Sequence, residues 1–369
     1  MTTQGKATSN RIPSLDGIRA ISIMMVLLSH LVGTKNFEVS PWISRLANMG
    51  SLGVKIFFVI SGYLITTLLI AEYKKTGTIS LLKFYFNRTF RIFPAFYMFV
   101  AVVSIVSLAG YISLNDGDLL HAITYTTNYH HNRAWDLGHI WSLAVEEQFY
   151  LIWPAIFLFF GLRGAFVASF AYLLIGPIVR VLTWHYLPQD RVGIGESFQT
   201  VADSIATGCV LAFIRIWLDG IASYIRLQKS KITIIIIFAI IFLLNYLKGY
   251  PSVMLPVGET VLNISIALVI DWCLRNEESL LVKLLNNRQL VFIGVLSYSL
   301  YLWQQPFLNR NGDSFVNSAP FNLACVFLCA LLSYYFVEKP FLGLRSKLSN
   351  NWFNRQELAV KAVVEPVAE

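Results

Sequence analysis

Apolar residues recur in blocks of about twenty along nearly the whole chain, separated by short polar turns. A helix needs about 20 mostly apolar residues, within a range of about 17–25, to cross the hydrocarbon core of a bilayer. The pattern predicts ten such segments: 15–34, 50–71, 92–114, 141–160, 164–182, 198–217, 232–248, 257–274, 290–308 and 320–337. Polar residues interrupt two of them, 164–182 and 198–217. Ser14 stands where an N-cap would open the first helix, ahead of Leu15-Asp16-Gly17. The expected fold is all-α, a polytopic bundle of ten transmembrane helices. A short segment 1–13 precedes a membrane domain over 14–341, and a tail over 342–369 turns polar and frays from Asn350 onward.

Composition agrees with a membrane protein. Of the 369 residues, 56% are hydrophobic and 14% charged, against about 45–50% and 25% in average soluble domains. The net charge of +8 does not mark a nucleic-acid binder, because the cations fall in short loops rather than one patch. Their distribution sets an orientation instead. Lys74, Lys75, Lys83, Arg88, Arg91, Arg163, Arg226, Lys229, Lys231, Lys283, Arg288, Lys339, Arg345 and Lys347 fall on the side of the N-terminus. The other side holds only Lys35, Arg45, Arg133, Arg191, Lys248 and Arg310. The positive-inside rule then places the first side, and with an even number of spans both termini, in the cytosol. Met1 to Arg11 is polar and no A-x-A-like site follows the first apolar run, so that run is expected to be a retained helix. Cys209, Cys273, Cys325 and Cys329 all lie in apolar segments without metal spacing, as buried free thiols would.

Ionisable residues inside apolar helices mark candidate chemistry. Arg19 and His30 are eleven residues apart in the first segment. Eleven steps of about 100° bring them to within roughly 20° of one stripe, about 16 Å apart along the axis. Structurally, they would be a snorkelling Arg and a hydrogen-bonded His; functionally, an anion holder and a general base or transient acyl acceptor. Arg88 and Arg91, at i and i+3, share a face just before the third span. They suit bidentate capture of phosphate, or plain lipid anchoring. In the stretch from His139 through Tyr150, Trp141 and Tyr150 are ordinary interface anchors, but the adjacent Glu146 and Glu147 are not explained that way. Glu146 could orient or charge-couple with His30. Asp203, Asp271 and Glu338 read as structural ion-pair partners. His121, His130, His131 and Arg133 read as solvated residues of the longest outer loop, and no metal site is expected. No P-loop, G-x-S-x-G elbow, H-E-x-x-H or dinucleotide fingerprint is present.

Together these stretches resemble the membrane acyltransferase-3 family. Ser14-Leu15-Asp16-Gly17-Ile18-Arg19-Ala20 leading to His30 resembles its R-x10-H signature, and Gly53 to Ile65 its glycine-flanked second helix. Arg88 and Arg91 match its R-x-x-R motif, and Trp141-Ser142-Leu143-Ala144-Val145-Glu146-Glu147-Gln148-Phe149-Tyr150 its most distinctive block. Ser297 to Trp303, which contains Tyr301, and Val337-Glu338-Lys339-Pro340 are similar to its late motifs. Lys55 stands where the family often has an acidic residue, and Gln304 where a histidine often follows the late tryptophan.

The resemblance implies a stand-alone ten-helix acyltransferase of the plasma (inner) membrane. Such an enzyme moves an acyl group, usually acetyl, from cytosolic acetyl-CoA to a hydroxyl of an envelope saccharide, with no bound cofactor. Lipopolysaccharide O-antigen, exopolysaccharide and lipid-linked precursors are all candidate acceptors. Arg19, Arg88 and Arg91 would hold the CoA phosphates, with the pantetheine arm threading a polar conduit toward His30. Glu146 would steady the imidazolium. Trp141, Ser142, Glu147, Tyr150 and Tyr301 would line the site. The alternative class is a secondary transporter of a sugar substrate, for which the halves show no matching repeat.

Overall fold

The structure, a computed structural model, describes residues 12–349, and among these it holds helices and turns but no strand. The expected polar N-terminus and the tail from Asn350 lie outside the described residues. In chain order the helices are α1 (Pro13–Leu31), α2 (Pro41–Ala47), α3 (Gly50–Thr76), α4 (Leu81–Leu108), α5 (Asp118–Ile123) and α6 (Trp141–Tyr186). There follow α7 (Phe198–Val201), α8 (Asp203–Asp219), α9 (Ala222–Lys229), α10 (Lys231–Tyr246) and α11 (Pro251–Val253). The last are α12 (Glu259–Arg275), α13 (Leu280–Leu285), α14 (Arg288–Phe307) and α15 (Phe321–Ser333). Among the described residues, seven helical stretches are long and apolar enough to cross a membrane, or eight if the bent pair α8 and α9, which turn 109° apart, is one span. All four cysteines are free.

Several boundaries differ from those expected. The first helix opens at Pro13, where the absent N–H costs nothing. Ile12 precedes it without a side-chain cap, and Ser14 is buried within the first turn rather than capping it. Helix α4 begins at Leu81, with Ser80 Oγ accepting from the Lys83 amide, well ahead of the expected start at 92. Cations dilute the apolar signal there without breaking the helix, so Arg88 and Arg91 lie within α4. After α15 the chain passes a π-helical turn at Tyr334–Glu338 and stays helical to Ser349.

Helix α6 joins two expected spans. A straight helix of its 46 residues would measure about 69 Å, more than twice a hydrocarbon core of about 30 Å. It is not straight, because Gly161 has φ 62° and ψ −167°, a region open essentially only to glycine. Trp141 and Arg180, from its two arms, line one cavity, so the helix folds back on itself at Gly161.

Close helix contacts hold the bundle around α1, α3, α8 and α14. At the α3–α8 crossing, a Cβ on Gly62 would collide with the Ile205 carbonyl, and one on Gly208 with the Val59 carbonyl. Backbones can approach this far only where both helices lack a side chain, as in small-residue membrane crossings. Helix α14 carries the polar run Ser297 to Gln305 and is not among the seven apolar stretches. It packs between α1 and α15, where its polar groups face protein rather than lipid.

Candidate active site

The polar residues of six helical segments converge on a cavity of about 590 Å3. Arg19 comes from α1, Ser61 from α3, Arg88 and Arg91 from α4, and Ser142, Glu146, Glu147 and Tyr150 from α6. Ser297, Tyr298 and Tyr301 come from α14, and Glu338 and Arg345 from the segment after α15. Every sequence-predicted site residue lines this space except His30 and Trp141. Arg19 and Asp16 stand 3.9 Å apart. The Arg88 guanidinium lies 4.3 Å from the Tyr150 ring centroid, within cation–π range. Among the described residues, Arg88, Arg91 and Arg345 make no ion pair and no side-chain hydrogen bond, although carboxyl groups line the same cavity. Their fork-like donors are therefore free for a ligand.

Glu146 is held from both sides. Its Oε1 accepts from Ser61 Oγ at 3.0 Å and its Oε2 from the Tyr150 hydroxyl at 2.9 Å. This fixes the carboxylate inside the arginine cavity and leaves no hydrogen bond between Glu146 and His30, contrary to the expected pairing. Arg19 and His30 both lie on α1, but residue spacing on one helix carried no information on which other helix would meet either one.

His30 turns into the protein. Its Nδ1 lies 2.7 Å from Gln304 Oε1, and its ring meets the Trp135 ring edge-on at 5.6 Å and 77°. With Nδ1 engaged by Gln304, the ring leaves Nε2 for a further partner. Gln304 is thus the orienting group, at the position singled out as a departure from the family pattern. The Arg310 guanidinium bonds the Ser29 carbonyl beside it.

The expected conduit between Arg19 and His30 is interrupted. Between them on α1, Ile23, Val26 and Leu27 are buried in the core that also takes in Phe58 and Tyr301. Ser142 and Tyr301 line the cavity, and His30 does not. The Ser142 and Tyr301 hydroxyls lie 2.6 Å apart, and Tyr301 donates to the His139 carbonyl at 2.8 Å. His139 is buried, its Nε2 2.9 Å from the Leu302 carbonyl.

Other expectations divide. Asp203 pairs with Arg180 at 2.8 Å, and Asp271 with Arg215 and Arg275 at 3.2 and 2.6 Å, as structural ion pairs should. Glu338 instead accepts from Ser299 and borders the cavity. Of the outer-loop histidines His131 is exposed, as expected, whereas His130 Nε2 lies 2.9 Å from the buried Asp118 and His121 stacks on His130 at 4.6 Å. Lys55 pairs with Glu259. Ser61, Tyr298 and Arg345 were missed as site residues. Arg345 was visible only as a loop cation, and Ser61 lay unremarked within the glycine-flanked motif.

A carboxylate fixed from two sides shares one cavity with three arginines that have no ion-pair partner among the described residues, and with Arg19, whose helix also carries His30. Residues 12–338 match the acyltransferase domain family, and the chain belongs to that family. Peptidoglycan O-acetyltransferase OatA of Listeria monocytogenes is 29% identical, over 97% of this chain and 62% of its own. O-acetyltransferase OatA of Staphylococcus aureus is 32% identical over 89% and 57%. The putative peptidoglycan O-acetyltransferase YrhL of Bacillus subtilis is 30% identical over 89% and 54%. The chain thus spans between 54% and 62% of the length of these relatives. No solved structure matches it.

Proposed function

We propose that this protein is a membrane O-acyltransferase that moves an acetyl group from cytosolic acetyl-CoA to a hydroxyl of an envelope saccharide. Peptidoglycan is the acceptor given in the names of two of these relatives. The observation that carries this is the trio Arg88, Arg91 and Arg345, guanidiniums without an ion-pair partner among the described residues, in a 590 Å3 cavity that Arg19 of the His30 helix also lines. Counting the bent pair α8 and α9 as one span, taking the arms of α6 separately and admitting α14 gives ten spans. The loop charges then put both termini in the cytosol and the arginine end of the cavity at the cytosolic face of the plasma (inner) membrane.

In this mechanism Arg19, Arg88, Arg91 and Arg345 grip the CoA phosphates. The pantetheine arm occupies the cavity up to Ser142 and Tyr301, and its thioester meets His30 when the side chains there part. His30 Nε2 takes the proton of the acceptor hydroxyl, whose oxygen bonds the acetyl carbon as the C–S bond breaks. The proton then passes to the departing CoA sulfur. In the stepwise variant, His30 itself carries the acetyl group between donor and acceptor.

The test uses purified protein, radiolabelled acetyl-CoA and a soluble saccharide. Label on the saccharide supports transfer, and none under conditions of acetyl-CoA binding refutes it. Arg88→Ala and Arg91→Ala should each weaken acetyl-CoA binding about ten- to hundredfold, the loss of charge-assisted hydrogen bonds. Unchanged affinity would reassign the pair to lipid anchoring.

A further inference from the structure

A second cavity, of about 140 Å3, lies against the first. Val54 and Phe58 of α3 line both, and Trp141 faces the second while its neighbour Ser142 faces the first. Phe58 and Trp141 meet edge-to-face, with centroids 6.1 Å apart. The rim carries the exposed Ser51 and Gly195, at the face of the bundle where α1 ends and α3 begins. The floor carries Asp203, Ser204 and Asn263, each no more than 2% exposed.

Its chemistry differs from that of the arginine cavity. Lys55 is paired with Glu259 and Arg180 with Asp203, so the cations are neutralised in place. Arg180 also donates to the carbonyls of Leu255 and Thr200 and to the Thr260 hydroxyl, leaving little for an anion. Asn263 donates to Asp203 Oδ2 and accepts from Ser204. Asp203 Oδ1 is buried with no hydrogen-bond partner among the described residues. A buried acceptor left without a donor is costly. An O–H group relieves that cost, whereas a phosphate brings only more acceptors. The volume is well below the roughly 300–1,000 Å3 of drug-sized sites, which suits one ring and not a nucleotide. Trp141 supplies an apolar aromatic wall beside the polar floor.

We propose that this cavity is an acceptor subsite, holding one uncharged, hydroxyl-rich ring of the saccharide that enters past Gly195 and donates to Asp203 Oδ1. The proposal rests on the acyltransferase reading and its orientation above. It places the donor and acceptor cavities on opposite sides of the Phe58–Trp141 partition and makes Asp203 and Asn263 positioning residues.

Two variants of the full chain test it. A Cβ at Gly195 meets no atom within 4 Å, so Gly195→Trp narrows the mouth without disturbing the interior. Asn263→Leu removes polar contacts from the floor. Equilibrium dialysis with radiolabelled N-acetylglucosaminyl-N-acetylmuramic acid disaccharide, without acyl donor, reads binding apart from turnover. The expected result is measurable binding to the unaltered protein and at least tenfold weaker binding to both variants, with acetyl-CoA affinity unchanged. In turnover, the KM for the disaccharide should rise by the same factor. No binding to the unaltered protein, or equal binding to all three, overturns the proposal and leaves the cavity a structural ion-pair site. If the disaccharide binds as expected but never receives label, the acyltransfer reading has failed rather than the subsite.

Discussion

His30 is placed by one amide. The bond from Gln304 Oε1 to Nδ1 and the edge-on Trp135 ring decide which nitrogen is free. His30→Ala should lower O-acetylation by about 10²–10⁴-fold, the usual contribution of a general base, with the protein still inserted and abundant; wild-type product levels would remove His30 from the chemistry. Gln304→Leu keeps the ring but not its orientation. Transfer should fall about two- to tenfold, one hydrogen bond's worth, with acetyl-CoA affinity unaltered. Equal rates in a single-turnover assay would show that Trp135 suffices to hold the imidazole. Lys55 and Gln304 also show what residue-level reading missed. Each breaks the family pattern, and each meets a partner hundreds of positions away, Glu259 for the first and His30 for the second.

At the scale of elements, helix crossings rest on missing side chains. Gly62→Ala or Gly208→Ala pushes a methyl into a facing backbone carbonyl. Each should cost about 1–3 kcal/mol, the range for overpacking, read as a lower melting temperature in detergent. Gly343→Ala meets nothing within 4 Å in the helix running to Ser349. It should be neutral or stabilising by up to about 1 kcal/mol, and the contrast separates crowding from a general intolerance of substitution. Hydrophobic blocks located the long helices, because lipid and core select the same apolar residues. They misplaced the start of α4, where Arg88 and Arg91 dilute the signal inside an unbroken helix. They did separate the two arms of α6, but not the means of the turn, which is a single glycine at φ 62° with no polar loop around it. The arginine cavity was legible because its charges stand out against apolar surroundings. The His30–Gln304 contact was not, since two uncharged polar groups on remote segments leave no periodic trace.

For the whole molecule, orientation is the first quantity to measure. With the proposed topology, a membrane-impermeant maleimide should label Asp116→Cys in intact cells and Lys229→Cys only after permeabilisation. The reverse pattern would invert the two faces and with them the donor and acceptor assignments. The apolar stretch of α1 between Arg19 and His30 has a further consequence. A protein with charged groups on both sides of an energised bilayer risks becoming a leak for protons. Ile23, Val26 and Leu27, which lie between Arg19 and His30 on α1, belong with Phe58 and Tyr301 to one buried apolar core, and ions cross such surroundings only at a high desolvation cost. With the proposed topology, such a core lets charged groups stand on either side of it without short-circuiting the electrochemical gradient on which the rest of the membrane depends.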